Sequence, residues 1–136
     1  MFETRLQTYW ADADPAGRVF FPHFFKFVEC AEEELFRASG VERMELLERN
    51  GVFMPRVEAH AQFKQPIDTG AAILVELRNH FKGEKTVRME FQIRRSTDRE
   101  LLAEGYVTVV CMSAATRKSC PLPPAVRAGY ARGTVE

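Results

Sequence analysis

Residues 11–36 read ADADPAGRVFFPHFFKFVECAEEELF, and the character of the chain changes midway through them. Residues 11–17 gather Asp12, Asp14, Pro15 and Gly17, a cluster of turn formers through which no regular sheet continues. From residue 22 to about residue 39 the period becomes helical. Phe24, Phe27, Val28, Ala31 and Leu35 recur on one stripe, which Phe25 and Phe36 widen. Pro22 suits the first helical position, because its φ is already helical and its missing N–H would have no partner there. Gly40 suits a left-handed stop. The stretch therefore predicts an ordered loop running into a helix that is deeply buried along one side.

On the N-terminal side, Thr4, Leu6, Thr8 and Trp10 alternate with Glu3, Arg5, Gln7 and Tyr9, the pattern of a strand with one face turned inward. On the C-terminal side, residues 41–50 allow a second, shorter helix whose apolar side is Met44, Leu46 and Leu47, ended by Gly51. Beyond it the period is two. Val57, Ala59, Ala61 and Phe63 form one set, Ile73, Val75 and Leu77 a second, and Val87, Met89, Phe91 and Ile93 a third. Residues 101–112 are apolar on both faces around Val107, Val109 and Val110, which predicts a central strand covered on each side. Turns are expected at residues 65–70, 82–84 and 96–99.

One strand, a long helix and four more strands joined by short turns predict an α+β fold, an antiparallel five-stranded sheet wrapped around a single helix. The sheet's other face needs cover, so a homodimer or larger assembly is expected. The tail from Arg117, with Pro121, Pro123 and Pro124, is expected to lie over the surface and add little to the core.

Composition bounds the function. The 136 residues, 46% hydrophobic, fit one domain spanning residues 1–136. Lys and Arg total 19, as do Asp and Glu, so no global field favours a nucleic acid. No apolar run approaches the roughly 20 residues needed to cross a bilayer. Residues 1–10 carry charges where a signal peptide would be apolar, so a soluble, cytoplasmic protein is expected. Cys30, Cys111 and Cys120 form no close pair in sequence and are read as reduced thiols. His23, His60 and His80 lack metal-site spacing, so no metal is expected.

The chemistry lies where the loop meets the helix. Asp14 sits a few residues before a helix whose first turn leaves N–H groups unpaired. Acyl transfer needs a stabilised oxyanion, which helix-start N–H groups supply without reorganisation. It also needs a base or nucleophile, and a carboxylate serves as either.

The run Asp-Ala-Asp-Pro-Ala-Gly from Asp12, followed by Phe-Pro-His-Phe-Phe-Lys-Phe from Phe21, resembles the signature of the 4-hydroxybenzoyl-CoA thioesterase family of hotdog-fold enzymes. Residues 63–70, with Pro66 and Gly70, and the turn at residues 83–86 extend the resemblance over most of the chain. It implies a sheet wrapped around the helix, a dimer or often a tetramer, and an active site at the dimer interface. It implies Asp14 as the catalytic carboxylate and the Phe21 backbone N–H as the oxyanion donor. Many relatives carry Tyr where this chain has Phe21; a backbone donor survives that change, but a phenol hydroxyl does not. His23 falls beside the site, and a helix N-terminus favours its neutral, hydrogen-bonding form. The resemblance places Lys85 and Thr86 near the nucleotide end of CoA, with Lys82 and Arg88 flanking the same turn. CoA is then part of the substrate, and no separate cofactor is expected.

Each residue also has a plainer reading. Asp14 before Pro15 is an ordinary turn former, and Asp12 shapes the loop or holds Arg18. Glu29, Glu32, Glu33 and Glu34 read as a solvated helix face, although a second branch of hotdog thioesterases carries its catalytic glutamate on this helix, which makes Glu29 the alternative carboxylate. Exposed lysines at a turn are commonly solubilising. The alternatives to an enzyme are a hotdog domain that binds acyl thioesters without hydrolysing them and an assembly scaffold. Aromatic acyl-CoA of the hydroxybenzoyl or dihydroxynaphthoyl kind is the favoured substrate, and short aliphatic acyl-CoA comes next.

Overall fold

In the computed structural model, which describes residues 1–134, the period-two segments form a five-stranded antiparallel sheet. Its strands are β1 (Phe2–Gln7), β3 (Arg56–Phe63), β4 (Ala72–Phe81), β5 (Thr86–Arg95) and β6 (Leu101–Val110), in the order β1-β4-β5-β6-β3. A short β2 (Val52–Phe53) pairs with β7 (Met112–Ser113) beside it. The helical segments form α1 (His23–Arg37) and α2 (Arg43–Arg49), and a third helix, α3 (Pro124–Ala131), closes the chain. The long helix against a wrapped antiparallel sheet is the expected α+β hotdog arrangement.

The stripe on α1 is the one its spacing dictates: Phe24, Phe27, Val28, Ala31, Leu35 and Phe36 are all buried. They meet Ile73, Val75 and Leu77 of β4 and Val87, Met89, Phe91 and Ile93 of β5, which the alternation turns to the same side. Each large apolar side chain so buried contributes on the order of 1.5–3 kcal/mol of transfer free energy. Pro22 stands just outside the helix as its N-cap, with φ −64°, one residue earlier than the sequence reading has it. Gly40, at φ +80°, makes the left-handed stop. Gly105 of β6 is needed for a different reason: a Cβ there would lie 1.9 Å from the His60 carbonyl oxygen, so only glycine lets β3 approach.

Three expectations need correction. The first strand does not run to Trp10, which is 86% exposed. The strand ends at Gln7, Thr8 hydrogen-bonds Ala71 O through both its N–H and its hydroxyl, and residues 10–12 turn into a single 3-10 coil that breaks the alternation. The strand β6 is not central and covered on both sides. It lies next to the edge, and its outward residues Glu104, Tyr106 and Thr108 are only half-buried, while β5 occupies the middle.

The tail is not peripheral. Val126 and Tyr130 of α3 are fully buried, and Tyr130 donates its hydroxyl to Glu32 Oε2 at 2.8 Å. Gly129 lets the helix lie against Phe36, whose ring would be 2.1 Å from an added Cβ. The prolines that suggested a surface tail instead lead into α3, with Pro124 at its first turn.

Candidate active site

The loop between residues 12 and 20 folds back on itself as a small hairpin. Phe20 N–H donates to Asp12 O at 2.8 Å, Ala13 bridges Val19, and Asp14 N–H donates to Arg18 O at 2.8 Å. Gly17, at φ +78°, closes the tip by donating to Asp14 O at 3.0 Å. The sequence makes this turn because Pro15 fits its bend and only glycine adopts the left-handed position freely. Val19 N–H also donates to Ile67 O at 2.9 Å, which ties the hairpin to the segment after β3.

Asp14 sits at the tip, half-buried, two residues beyond the Asp12–Phe20 rung. Its Oδ1 accepts Ala16 N–H at 2.9 Å, and among the described residues Oδ2 has no partner. The side chain thus plays the turn former's part with one oxygen only. At the start of α1 the first carbonyls are taken: Phe20 O accepts His23 N–H and Phe21 O accepts Phe24 N–H. The Phe21 N–H makes no hydrogen bond among the described residues.

Asp12 is the carboxylate that the local pattern undervalues. It is 1% exposed and accepts Tyr9 N–H at 2.9 Å, His23 Nδ1 at 3.0 Å and Lys26 Nζ at 2.7 Å. Burial works to raise its pKa, but Lys26, the Tyr9 N–H and His23 outweigh burial and hold the carboxyl below its usual range. An ionised carboxylate only accepts hydrogen bonds, so His23 carries its proton on Nδ1 and presents Nε2 outward. Asp12 shapes the loop, as expected, but it does not hold Arg18, which pairs with Asp68 at 3.1 Å.

A cleft of about 270 Å³ opens beside Phe21, lined by Val19, Phe21, Phe24, Phe63, Lys64 and Pro66 among others. Phe63 meets Phe21 and Phe24 edge to face, with ring centroids 5.9 and 4.9 Å apart. Phe21 is 60% exposed and Phe63 47%, an unusual amount of aromatic surface to leave open.

Two of the three expected CoA contacts share a turn, and the third lies on the sheet. Lys82 and Lys85 lie on the β4–β5 turn, Lys85 Nζ being 3.5 Å from Ser119 Oγ. Arg88 lies further along β5 on the outer sheet face, its guanidinium 3.7 Å from the centre of the Tyr106 ring. The glutamates of α1 also divide. Glu29 is half-exposed and accepts Arg56 Nε at 2.9 Å, whereas Glu32 is fully buried among Arg43, Arg56 and Tyr130. Glu32 therefore does not belong to a solvated face; α3 and the two arginines cover it, and no local signal marks it.

Residues 8–129 match the family model described as the thioesterase-like superfamily. The chain belongs to that superfamily. A 1,4-dihydroxy-2-naphthoyl-CoA hydrolase from Synechocystis is 27% identical to this superfamily member over 122 residues, covering 90% of this chain and 88% of the relative. A hydrolase of the same name from Prochlorococcus marinus is 24% identical over 124 residues, 86% of this chain and 81% of its own. Among solved structures, a 1,4-dihydroxy-2-naphthoyl-CoA thioesterase from Synechocystis superposes with a TM-score of 0.88 at 25% identity, over 96% of this chain and 95% of the other. A gentisyl-coenzyme A thioesterase shares the fold, with a TM-score of 0.80 at 24% identity over 93% and 99% of the two chains. Thioester hydrolysis is thus the activity class of this thioesterase-superfamily chain. Among the described residues no helix is long and apolar enough to cross a membrane.

Proposed function

We propose that this chain hydrolyses the thioester of an acyl-CoA, with aromatic acyl groups of the hydroxybenzoyl or dihydroxynaphthoyl kind favoured over short aliphatic ones. The observation that carries the reading is the hairpin at residues 12–20. Anchored to the first turn of α1 through Asp12, it carries on one short segment an Asp14 oxygen and a Phe21 N–H that have no partner among the described residues. The substrate carbonyl accepts the Phe21 N–H, and negative charge developing on its oxygen is stabilised there and by the helix start. Asp14 either activates a water or attacks the carbonyl directly to give a mixed anhydride that water cleaves. His23, fixed by Asp12 at the first turn of α1, is the further polar group proposed to act beside them.

The names of the relatives and the open aromatic cleft at Phe21, Phe24 and Phe63 support an aromatic acyl group, since edge-to-face partners suit a flat ring. Lys82, Lys85 and Arg88 remain the cations proposed for the CoA phosphates, Lys85 and Lys82 ahead of Arg88, whose guanidinium is already stacked. The free edge of β3, with Val57 60% exposed, supports a homodimer, with a homotetramer as its further association. A cytoplasmic setting is part of the same proposal.

The test is thiol release from aromatic, short, medium and long acyl-CoAs by wild type and Asp14→Asn, with binding of each ester measured separately. Turnover lost on substitution while binding persists supports the proposal. Wild-type binding without turnover would instead favour a hotdog domain that only holds acyl thioesters, and absence of both would favour a scaffold.

A further inference from the structure

Cys111 and Cys120 stand nine residues apart in sequence but meet side by side in the fold, Sγ to Sγ at 3.7 Å. The chain doubles back after β6. Met112 bridges Ser119, and Cys120 N–H donates to Cys111 O at 2.9 Å, so the two cysteines face each other across the turn. The two sulfurs are in van der Waals contact, so an S–S bond of about 2.05 Å closes over a short distance. Cys111 is fully buried, while Cys120 is partly exposed and reachable from solvent. Cys30 lies on α1.

From this juxtaposition we infer that Cys111 and Cys120 form an oxidisable dithiol, a modification site at which a hydroperoxide closes an intramolecular disulfide. Cys120, the accessible sulfur, attacks the O–O bond of hydrogen peroxide, giving a sulfenic acid and releasing one water. Cys111 Sγ then attacks Cys120 Sγ. The S–S bond forms, the S–OH bond breaks, and the hydroxide leaves as a second water with the proton of the Cys111 thiol. Two thiols and one peroxide thus become one disulfide and two waters, the sulfurs losing the two electrons that the peroxide gains. The burial of Cys111, together with the hydrogen bond and charge of Cys120, pushes the Cys111 thiol up to about 12.

The bond fastens the run that leads into α3 onto the end of β6 and closes a short loop. The folded state is then favoured because the unfolded chain loses freedom. Ser119, the neighbour of Lys85 Nζ, lies inside that loop.

The experiment treats the full chain with hydrogen peroxide and reads intact mass, free thiols and melting temperature. The expected result is a loss of two hydrogens, a fall from three free thiols to one, and a melting temperature raised by several degrees and restored by dithiothreitol. A peptide map then joins Cys111 to Cys120. The Cys30→Ser variant behaves in the same way, and Cys120→Ser does not form the bond. Three thiols surviving while mass rises by oxygen atoms, a disulfide that includes Cys30, or one that joins two chains on a non-reducing gel overturns the inference.

Discussion

Asp12 and His23, eleven residues apart, share a 3.0 Å bond from Nδ1 to Oδ1 that anchors the Asp-Pro loop to the first turn of α1. The Lys26 ammonium, one turn further on, reaches the same oxygen at 2.7 Å. The two acids of the motif therefore divide their work. Asp12 is buried and saturated with donors, which fixes the loop, while one oxygen of Asp14 has no partner among the described residues.

That division gives the two acids separable signatures. Asp14→Asn preserves the Ala16 N–H bond through its amide oxygen, so the fold and acyl-CoA binding persist while kcat falls by about 10²–10⁴-fold. Steady-state thiol release beside a binding isotherm checks this, and unchanged kcat refutes it. A single turnover in oxygen-18 water then separates the two routes, because label in the Asp14 carboxyl marks direct attack.

Asp12→Asn acts on stability instead. The folded-state pKa of Asp12 lies below its unfolded value, so its ionised form contributes stability that is fully present above the ordinary carboxylate pKa. The contribution disappears as pH falls through the lowered folded value. Wild type is therefore expected to melt higher than the variant at neutral pH, and the gap is expected to narrow as the solution becomes more acidic than about pH 4. Melting curves of both proteins from neutral to acid check the sign; a gap that widens in acid would falsify it.

Tyr130 closes the buried network around Glu32. Tyr130→Phe removes the donor to Glu32 Oε2 and leaves that oxygen buried without it, at a cost of about 1–3 kcal/mol in urea unfolding. Deleting α3 costs more, because it also uncovers Phe36, whose ring meets Tyr130 with centroids 5.0 Å apart. A truncated chain as stable as the full one would show that the tail is dispensable.

The free edge of β3 offers a direct test of assembly. Val57→Lys places a charge on an exposed, unpaired strand edge, which disfavours strand addition by a second copy. Sedimentation is expected to show a dimer or tetramer for wild type and a shift toward monomer for the variant, with turnover falling in parallel.

The sequence by itself determined what depends on near neighbours. The period of 3.6 in α1, the period of two in β4 and β5, and the turn chemistry of Asp14, Pro15, Gly17 and Gly40 act within a few residues, so they are written locally. The same locality explains the element order and the loop that leads to the helix. The tertiary structure alone decided what depends on distant partners. Glu32 lies under Tyr130, ninety-eight residues away, and Cys111 faces Cys120 across a turn that residue spacing does not reveal. Arg88 stacks on the Tyr106 ring of the neighbouring strand, whereas Lys82 and Lys85 sit on the β4–β5 turn. A charge or thiol carries no periodic mark, because its environment is set by elements that pack against it from elsewhere in the chain.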